Sequence, residues 1–252
     1  MTNKLKYFIG NWKMFGDFSS FNIIAKINQF HQKNKKLNKS KIILCVPSTL
    51  INYFKKKLKL SSVLLGAQNC HHSKTYGSFT GSINSKMLKN VGAKYIILGH
   101  SENRLNGDTD DLIKQKIVSA LEEKLIIIFC IGESFKDKKN GKTFSVLRNQ
   151  IKSSLIKKFD LNKIIFAYEP IWSIGTNKIP KENELKRTVN FIKNEVKIFF
   201  NSKKKCIVLY GGSVNSNNIS QLSKVTEIDG FLIGGASQSS KKFIDIIKNY
   251  YK

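Results

Sequence analysis

A single-domain α/β barrel of eight parallel strands, each followed by a helical or polar segment, is the fold class this sequence predicts. Three observations predict it. Eight short apolar runs recur along the 252 residues. Most are apolar throughout instead of alternating, which is how strands covered on both faces read. The segments between them carry helical spacing or turn residues, so strand and helix alternate to the end of the chain. Eight such units close into a (β/α)8 barrel, which commonly fills this length as one domain. Residues 1–252 are therefore expected to form one domain, and no linker, low-complexity segment or repeat interrupts them. An open doubly wound sheet would require a GxGxxG turn after the first strand, and Ile9-Gly10-Asn11-Trp12-Lys13 is not one.

In chain order the runs are Tyr7–Asn11, Ile42–Val46, Val63–Gln68, Tyr95–Gly99, Ile126–Ile131, Lys163–Tyr168, Ile207–Tyr210 and Gly230–Ile233. Each is short and rich in β-branched or aromatic residues. Between the fourth and fifth, the spacing predicts a helix over Asp108–Lys124. Leu112, Ile113, Ile117, Ala120 and Leu121 share one stripe, and Asp108, Asp110 and Asp111 complement the positive end of the helix dipole. Lys142–Lys158 and Glu182–Phe200 read as helices on the same grounds. The sixth run ends in Glu169, and Pro170 then forbids further ladder pairing. Small or flexible residues follow up to Pro180 and an acidic helix start.

Composition narrows the function classes. The chain is 41% hydrophobic and 24% charged, enough for one large core. No window is apolar over the ~18 residues a membrane span needs. The segment Met1–Lys6 lacks the apolar stretch of a secretory leader, so a cytoplasmic, membrane-free protein is expected. Cys45, Cys70, Cys130 and Cys206 are far apart and form no CxxC pair, consistent with reduced packing residues. The net charge is +27, from 44 Lys and Arg against 17 Asp and Glu. Such charge suits polyanions, but the basic residues lie in every helix and turn, and no RNP, KH or zinc-finger pattern accompanies them. No specific nucleic-acid partner is expected. Cys70-His71-His72 is too isolated to make a metal site, so neither metal nor cofactor is expected. A GxSxG elbow is also missing.

In a (β/α)8 barrel, chemistry gathers at the C-terminal strand ends. The first strand offers Asn11 and Lys13, the fourth His100 and Glu102, and the sixth Glu169. The seventh offers Gly211-Gly212-Ser213, and the eighth Gly234-Gly235-Ala236-Ser237. Gly-Gly turns leave backbone N–H groups open to an anion, and phosphate commonly sits after strands seven and eight. A Glu base can take a proton from carbon beside a carbonyl, while a neutral His and a Lys hold the resulting oxyanion. A Pro-bounded segment after the Glu suits a lid. Alone, Glu169 reads equally well as a surface turn with an incidental carboxylate. Together, these residues point to proton transfer on a small phosphorylated carbonyl compound.

Along essentially its whole length the chain resembles the triosephosphate isomerase family, whose fold is the TIM barrel. The matching blocks are Gly10-Asn11-Trp12-Lys13-Met14, Gly66-Ala67-Gln68-Asn69-Cys70, Gly77-Ser78-Phe79-Thr80-Gly81, Leu98-Gly99-His100-Ser101-Glu102, Cys130-Ile131-Gly132-Glu133, Tyr168-Glu169-Pro170-Ile171-Trp172-Ser173-Ile174-Gly175-Thr176, Tyr210-Gly211-Gly212-Ser213-Val214 and Gly234-Gly235-Ala236-Ser237. The resemblance implies an aldose–ketose isomerase of glycolysis and gluconeogenesis. It would interconvert dihydroxyacetone phosphate and D-glyceraldehyde 3-phosphate without a cofactor. By the same resemblance Glu169 is the base, His100 a neutral electrophile, Lys13 the charge partner and Asn11 an orienting amide. Glu102 supports Lys13, and Gly175, Ser213, Gly234 and Gly235 bind phosphate. Pro170, Ile171, Trp172, Ser173, Ile174, Thr176 and Asn177 belong to the lid Pro170–Ile179. A homodimer is implied, with Phe79 and Thr80 of loop Gln68–Ile83 reaching a neighbour's site. Three positions depart from the family pattern. Asn103 and Ser82 stand where an Arg and an acid pair across the dimer, and Asn177 stands where the lid tip has Gly. Asn is the side chain that tolerates positive φ best, so Asn177 is expected there.

Overall fold

The computed structural model describes residues 5–58 and 61–252, apart from the side chains of residues 35 and 36. The reading of Met1–Lys4 lies outside the described residues. The strands are β1 (Lys6–Asn11), β2 (Ser40–Cys45), β3 (Val63–Ala67), β4 (Tyr95–Leu98), β5 (Ile126–Ile131), β6 (Ile164–Tyr168), β7 (Ile207–Tyr210) and β8 (Gly230–Ile233). They form a closed barrel in sequence order, every pairing parallel. Tyr7 opposite Gly230 and Gly10 opposite Ile233 close the ring. The helices are α1 (Phe21–Lys33), α2 (Ser48–Lys57), α3 (Ser85–Asn90), α4 (Ser101–Leu105), α5 (Asp110–Glu122), α6 (Phe135–Lys139), α7 (Thr143–Ser154), α8 (Glu182–Phe200), α9 (Ile219–Leu222) and α10 (Ser240–Tyr250).

Strand alternation divides the core in two. Tyr7, Ile9, Ile43, Ile97, Ile128, Ile165, Leu209 and Leu232 form one buried cluster. Phe8, Ile42, Leu44, Ile96, Phe129 and Phe166 belong to a second, shared with helix residues such as Ile24, Ile117, Ile192 and Ile246. Successive residues of one strand thus face the lumen and the helix layer. Both faces are dry, and that is why the runs read as continuously apolar.

The strand bounds agree with the apolar runs to within two residues, but two predicted helices are shorter than their spacing suggested. α5 begins at Asp110 because Thr109 caps it, accepting from the Leu112 N–H. Asp108 is therefore not a dipole partner in the first turn. It lies before the cap and holds Lys116 at 2.6 Å, both side chains under a tenth exposed. Lys116 and Ser119 are buried on the stripe assigned to apolar residues, while Leu112 is only half-buried. α7 ends at Ser154 because Leu155 turns extended, at φ −115° and ψ 157°.

Candidate active site

The mouth at the C-terminal strand ends is a cavity of about 230 Å³. Asn11, Lys13, His100, Glu169, Ile174, Gly175, Asn177, Ser213, Gly234 and Gly235 all line it. Glu102, Pro170, Ile171, Trp172, Ser173 and Thr176 do not line it, though Glu102 meets the lining Lys13 and Ser173 the lining Ser213. Phe79 lines a different groove with Tyr76 and Met87, and Thr80 lines neither.

Glu169 is fixed by its backbone. Its N–H donates to the Ile131 carbonyl at 2.8 Å, and the preceding carbonyl accepts from Gly211 N–H at 2.8 Å. The strand end is thus clamped between β5 and β7. Two glycines let the neighbours come close. A Cβ on Gly132 would stand 1.8 Å from the Glu169 carbonyl oxygen, and one on Gly211 would stand 2.8 Å from its Cγ. The Gln150 amide of α7 brackets Gly132, donating to its carbonyl and accepting from its N–H.

The Glu169 side chain is 3% exposed. Burial raises its pKa above the ordinary carboxylate value, opposed by His100, the Cys130 thiol and the Ser101 N–H, with Lys13 last. His100 caps α4, where its Nδ1 accepts from Glu102 N–H at 3.2 Å. An accepting Nδ1 carries no proton, so the hydrogen-bond pattern assigns the ring proton to Nε2. That Nε2 is 3.5 Å from Glu169 Oε1.

Lys13 sits at φ 55°, in the left-handed region that a Lys rarely adopts. The Asn11 side-chain oxygen accepts from its N–H at 3.0 Å, which supports that turn. Its ammonium meets Glu102 Oε1 at 2.5 Å. Lys13 thus crosses the mouth from β1 to α4.

The segment expected to be a lid leaves β6 through a short turn at Ile171–Ser173. Trp172 donates to Glu133 Oε1 at 2.8 Å, and Tyr168 donates to the same oxygen at 3.1 Å. The Lys138 ammonium lies 3.6 Å from the Trp172 ring centroid. Ser173 Oγ reaches Tyr210 OH at 2.9 Å and accepts from Ser213 N–H at 3.3 Å. Gly175 has φ 70° and Asn177 φ 59°, so Asn177 stands in the left-handed region expected for it.

Several supporting residues were not singled out from sequence. Arg104 donates to the Gly99 and Cys130 carbonyls and pairs with Asp110 at 2.6 Å. It ties the ends of β4 and β5 beneath His100 and Glu169. Glu133 anchors Trp172, yet its block Cys130-Ile131-Gly132-Glu133 carried only the resemblance. Among the described residues, no group of His, Cys, Asp and Glu could hold a metal. No described helix is long and apolar enough to cross a membrane. All four cysteines are buried.

Comparison with known proteins bears on this site. The family model for triosephosphate isomerase matches residues 6–250. The triosephosphate isomerase of Mycoplasmopsis pulmonis is 40% identical, over 95% of this chain and 95% of its own length. That of Borreliella burgdorferi is 38% identical, over 96% and 98%. The crystal structure of triosephosphate isomerase from Bartonella henselae superposes with a TM-score of 0.88 at 32% identity, covering 98% of this chain and 99% of that one.

Proposed function

The chain belongs to the triosephosphate isomerase family, and from that premise we propose that it moves a proton between the two carbons of a triose phosphate enediolate, with Glu169 as the base. The single observation that carries this reading is the buried Glu169 carboxylate facing His100 Nε2 at 3.5 Å in one cavity with Lys13. The family's substrates are dihydroxyacetone phosphate and D-glyceraldehyde 3-phosphate. The enzyme serves glycolysis and gluconeogenesis as one barrel domain spanning residues 1–252, cytoplasmic and homodimeric.

Glu169 takes a proton from the carbon beside the carbonyl. The electrons of that C–H bond form the C=C bond of the enediolate, and the carbonyl oxygen gains the negative charge. The Nε2–H of His100 donates to that oxygen, and the Lys13 ammonium stabilises its charge. His100 gives its Nε2 proton to that oxygen and takes one from the adjacent hydroxyl, so that as Glu169 returns its proton to the neighbouring carbon the new carbonyl forms on the carbon first deprotonated, and no cofactor is consumed. A raised pKa suits this role, because a stronger base is closer in proton affinity to the carbon acid it must deprotonate. Glu102 orients Lys13, and Asn11 supports its turn and orients substrate oxygens. Backbone N–H groups at Gly175, Ser213, Gly234 and Gly235 hold the phosphate. The lid from Pro170 through Ile179 then excludes water, which disfavours loss of phosphate from the enediolate.

A coupled assay of D-glyceraldehyde 3-phosphate consumption tests the reading. Turnover abolished by Lys13→Met and by His100→Ala supports it. A folded parent without turnover would instead mean a barrel retired to binding.

A further inference from the structure

At the end of the barrel away from the mouth, where β7 begins, lies a larger cavity of about 600 Å³. Three pieces of chain build it. The first is α8, which contributes Asn190, Lys193, Asn194 and Lys197. These fall at i, i+3, i+4 and i+7, so they share one stripe of the helix. It is a different stripe from the buried one of Leu185, Val189, Ile192 and Val196.

The second piece is the loop from α8 to β7. Asn201 ends the helix in the left-handed region, at φ 45°. The Ser202 N–H donates to the Lys197 carbonyl at 3.1 Å, and the Lys204 N–H donates to Ser202 Oγ at 3.1 Å. The chain thus folds back on the helix end, and Lys203, Lys204 and Lys205 line the same cavity as the α8 stripe. The third piece is Ile207 of β7 with Asp229 just before β8.

Charge in this cavity is one-sided. Its one lining carboxylate, Asp229, is already answered: Lys193 pairs with it at 2.9 Å, and the Val208 N–H donates to it at 2.9 Å. Lys193 also donates to the Glu227 carbonyl at 2.5 Å, while the Glu227 carboxylate meets Lys186 at 3.1 Å. Lys197, Lys203, Lys204 and Lys205 are exposed, and among the described residues none of them pairs with a carboxylate. Four like charges around one concavity repel one another and focus a positive field into it.

We propose that this cavity is an anion site, separate from the mouth, that binds a small linear polyphosphate through Lys197 and the lysines at 203–205. A chain of phosphates carries charge at successive phosphorus atoms, so it can meet ammonium groups from both the helix and the loop at once. The amides of Asn190 and Asn194 add neutral donors along the same wall. The volume is that of a small-molecule site. Among the described residues, no aromatic side chain lines it, so a nucleoside base finds nothing to stack on and the phosphate chain itself is what is recognised.

The test is isothermal titration of the full chain with sodium tripolyphosphate and with ATP, in a low-salt chloride buffer. The parent is expected to bind tripolyphosphate, and ATP no more than about threefold tighter. Combining Lys203→Ala, Lys204→Ala and Lys205→Ala is expected to weaken tripolyphosphate about tenfold, and Lys197→Gln alone about threefold. Gln at the same three positions supplies the comparison should the Ala triple fail to fold by circular dichroism. A control triple, Lys26→Ala, Lys33→Ala and Lys89→Ala, removes equal charge from exposed positions of α1 and α3, and its effect is expected to stay below about twofold. Equal weakening in both triples would reduce the effect to overall charge and overturn the site. Unchanged binding in the loop triple, ATP held more than threefold tighter than tripolyphosphate, or no binding by the parent would each overturn it as well.

Discussion

The proposed base Glu169 is buried, and its surroundings set how readily it takes a proton. Burial disfavours the carboxylate, while the Ser101 N–H, the Cys130 thiol and Lys13 keep it usable. Because the folded pKa is raised, the group favours folding only at low pH, and that contribution is lost as pH rises through the folded pKa. Two outcomes follow. The acid limb of kcat/KM lies above the ordinary carboxylate range, since activity is lost as Glu169 gains a proton. A pH–rate profile limited by a carboxyl of ordinary pKa would contradict it. Glu169→Gln, freed of the desolvated charge, melts no lower than the parent at neutral pH in a calorimetric scan. That Asn11, Lys13, His100 and Glu169 would meet in one cavity was legible in the sequence, because each stands at or just past the point where an apolar run stops. Arg104 and Glu133 were not. Arg104 is one of 44 basic residues, and only the fold brings the Cys130 carbonyl of β5 beside it. Glu133 matters only because the fold brings Trp172 and Tyr168 to it.

At the scale of elements, the proposed lid and α5 depend on different things. The geometry of the segment after β6 depends on backbone permissiveness at Asn177, which stands at φ 59°. Asn177→Val places a β-branched side chain at positive φ, which costs about 1–2 kcal/mol. Weaker phosphate binding is expected, and a variant that binds phosphate like the parent would contradict it. The helix α5 depends on a charge that the apolar stripe did not anticipate. Lys116 reaches both Asp108 and the Asn69 side chain, tying α5 to the loops after α4 and β3. Lys116→Met leaves Asp108 buried without its cation and is expected to cost about 3 kcal/mol in urea unfolding. A loss below about 0.5 kcal/mol would mean that the pair is merely a surface contact. Element type was readable from periodicity, but the ends were not. They are set by Thr109 and Leu155, single residues whose cap or extended backbone overrides the spacing.

The whole molecule presents two surfaces that matter. One is a set of exposed apolar side chains: Met14 is 99% exposed, Tyr76 62% and Phe79 46%. Side chains of this kind fit the proposed homodimer, which must then be held by apolar and backbone contacts, since Asn103 and Ser82 carry no charge. Light scattering at micromolar concentration is expected to give twice the chain's mass, and a fully active monomer would contradict it. The other is set by the overall charge of +27, whose lysines and arginines recur along the whole chain. A basic enzyme acting on a phosphate dianion should be steered towards it. Accordingly kcat/KM is expected to fall as chloride rises to physiological strength, with kcat changing less. A salt-independent kcat/KM would contradict steering.

The central claim is that Glu169 carries the proton, and a single substitution tests it most directly. Steady-state turnover of D-glyceraldehyde 3-phosphate is measured for the parent and for Glu169→Gln, with circular dichroism recorded on both. The amide keeps nearly the same size and can still meet His100 Nε2–H and Ser101 N–H, so the fold should persist while the base is gone. The account predicts kcat lower by roughly three or more powers of ten with an unchanged dichroism spectrum. Near-parental turnover in the folded Gln variant would contradict it.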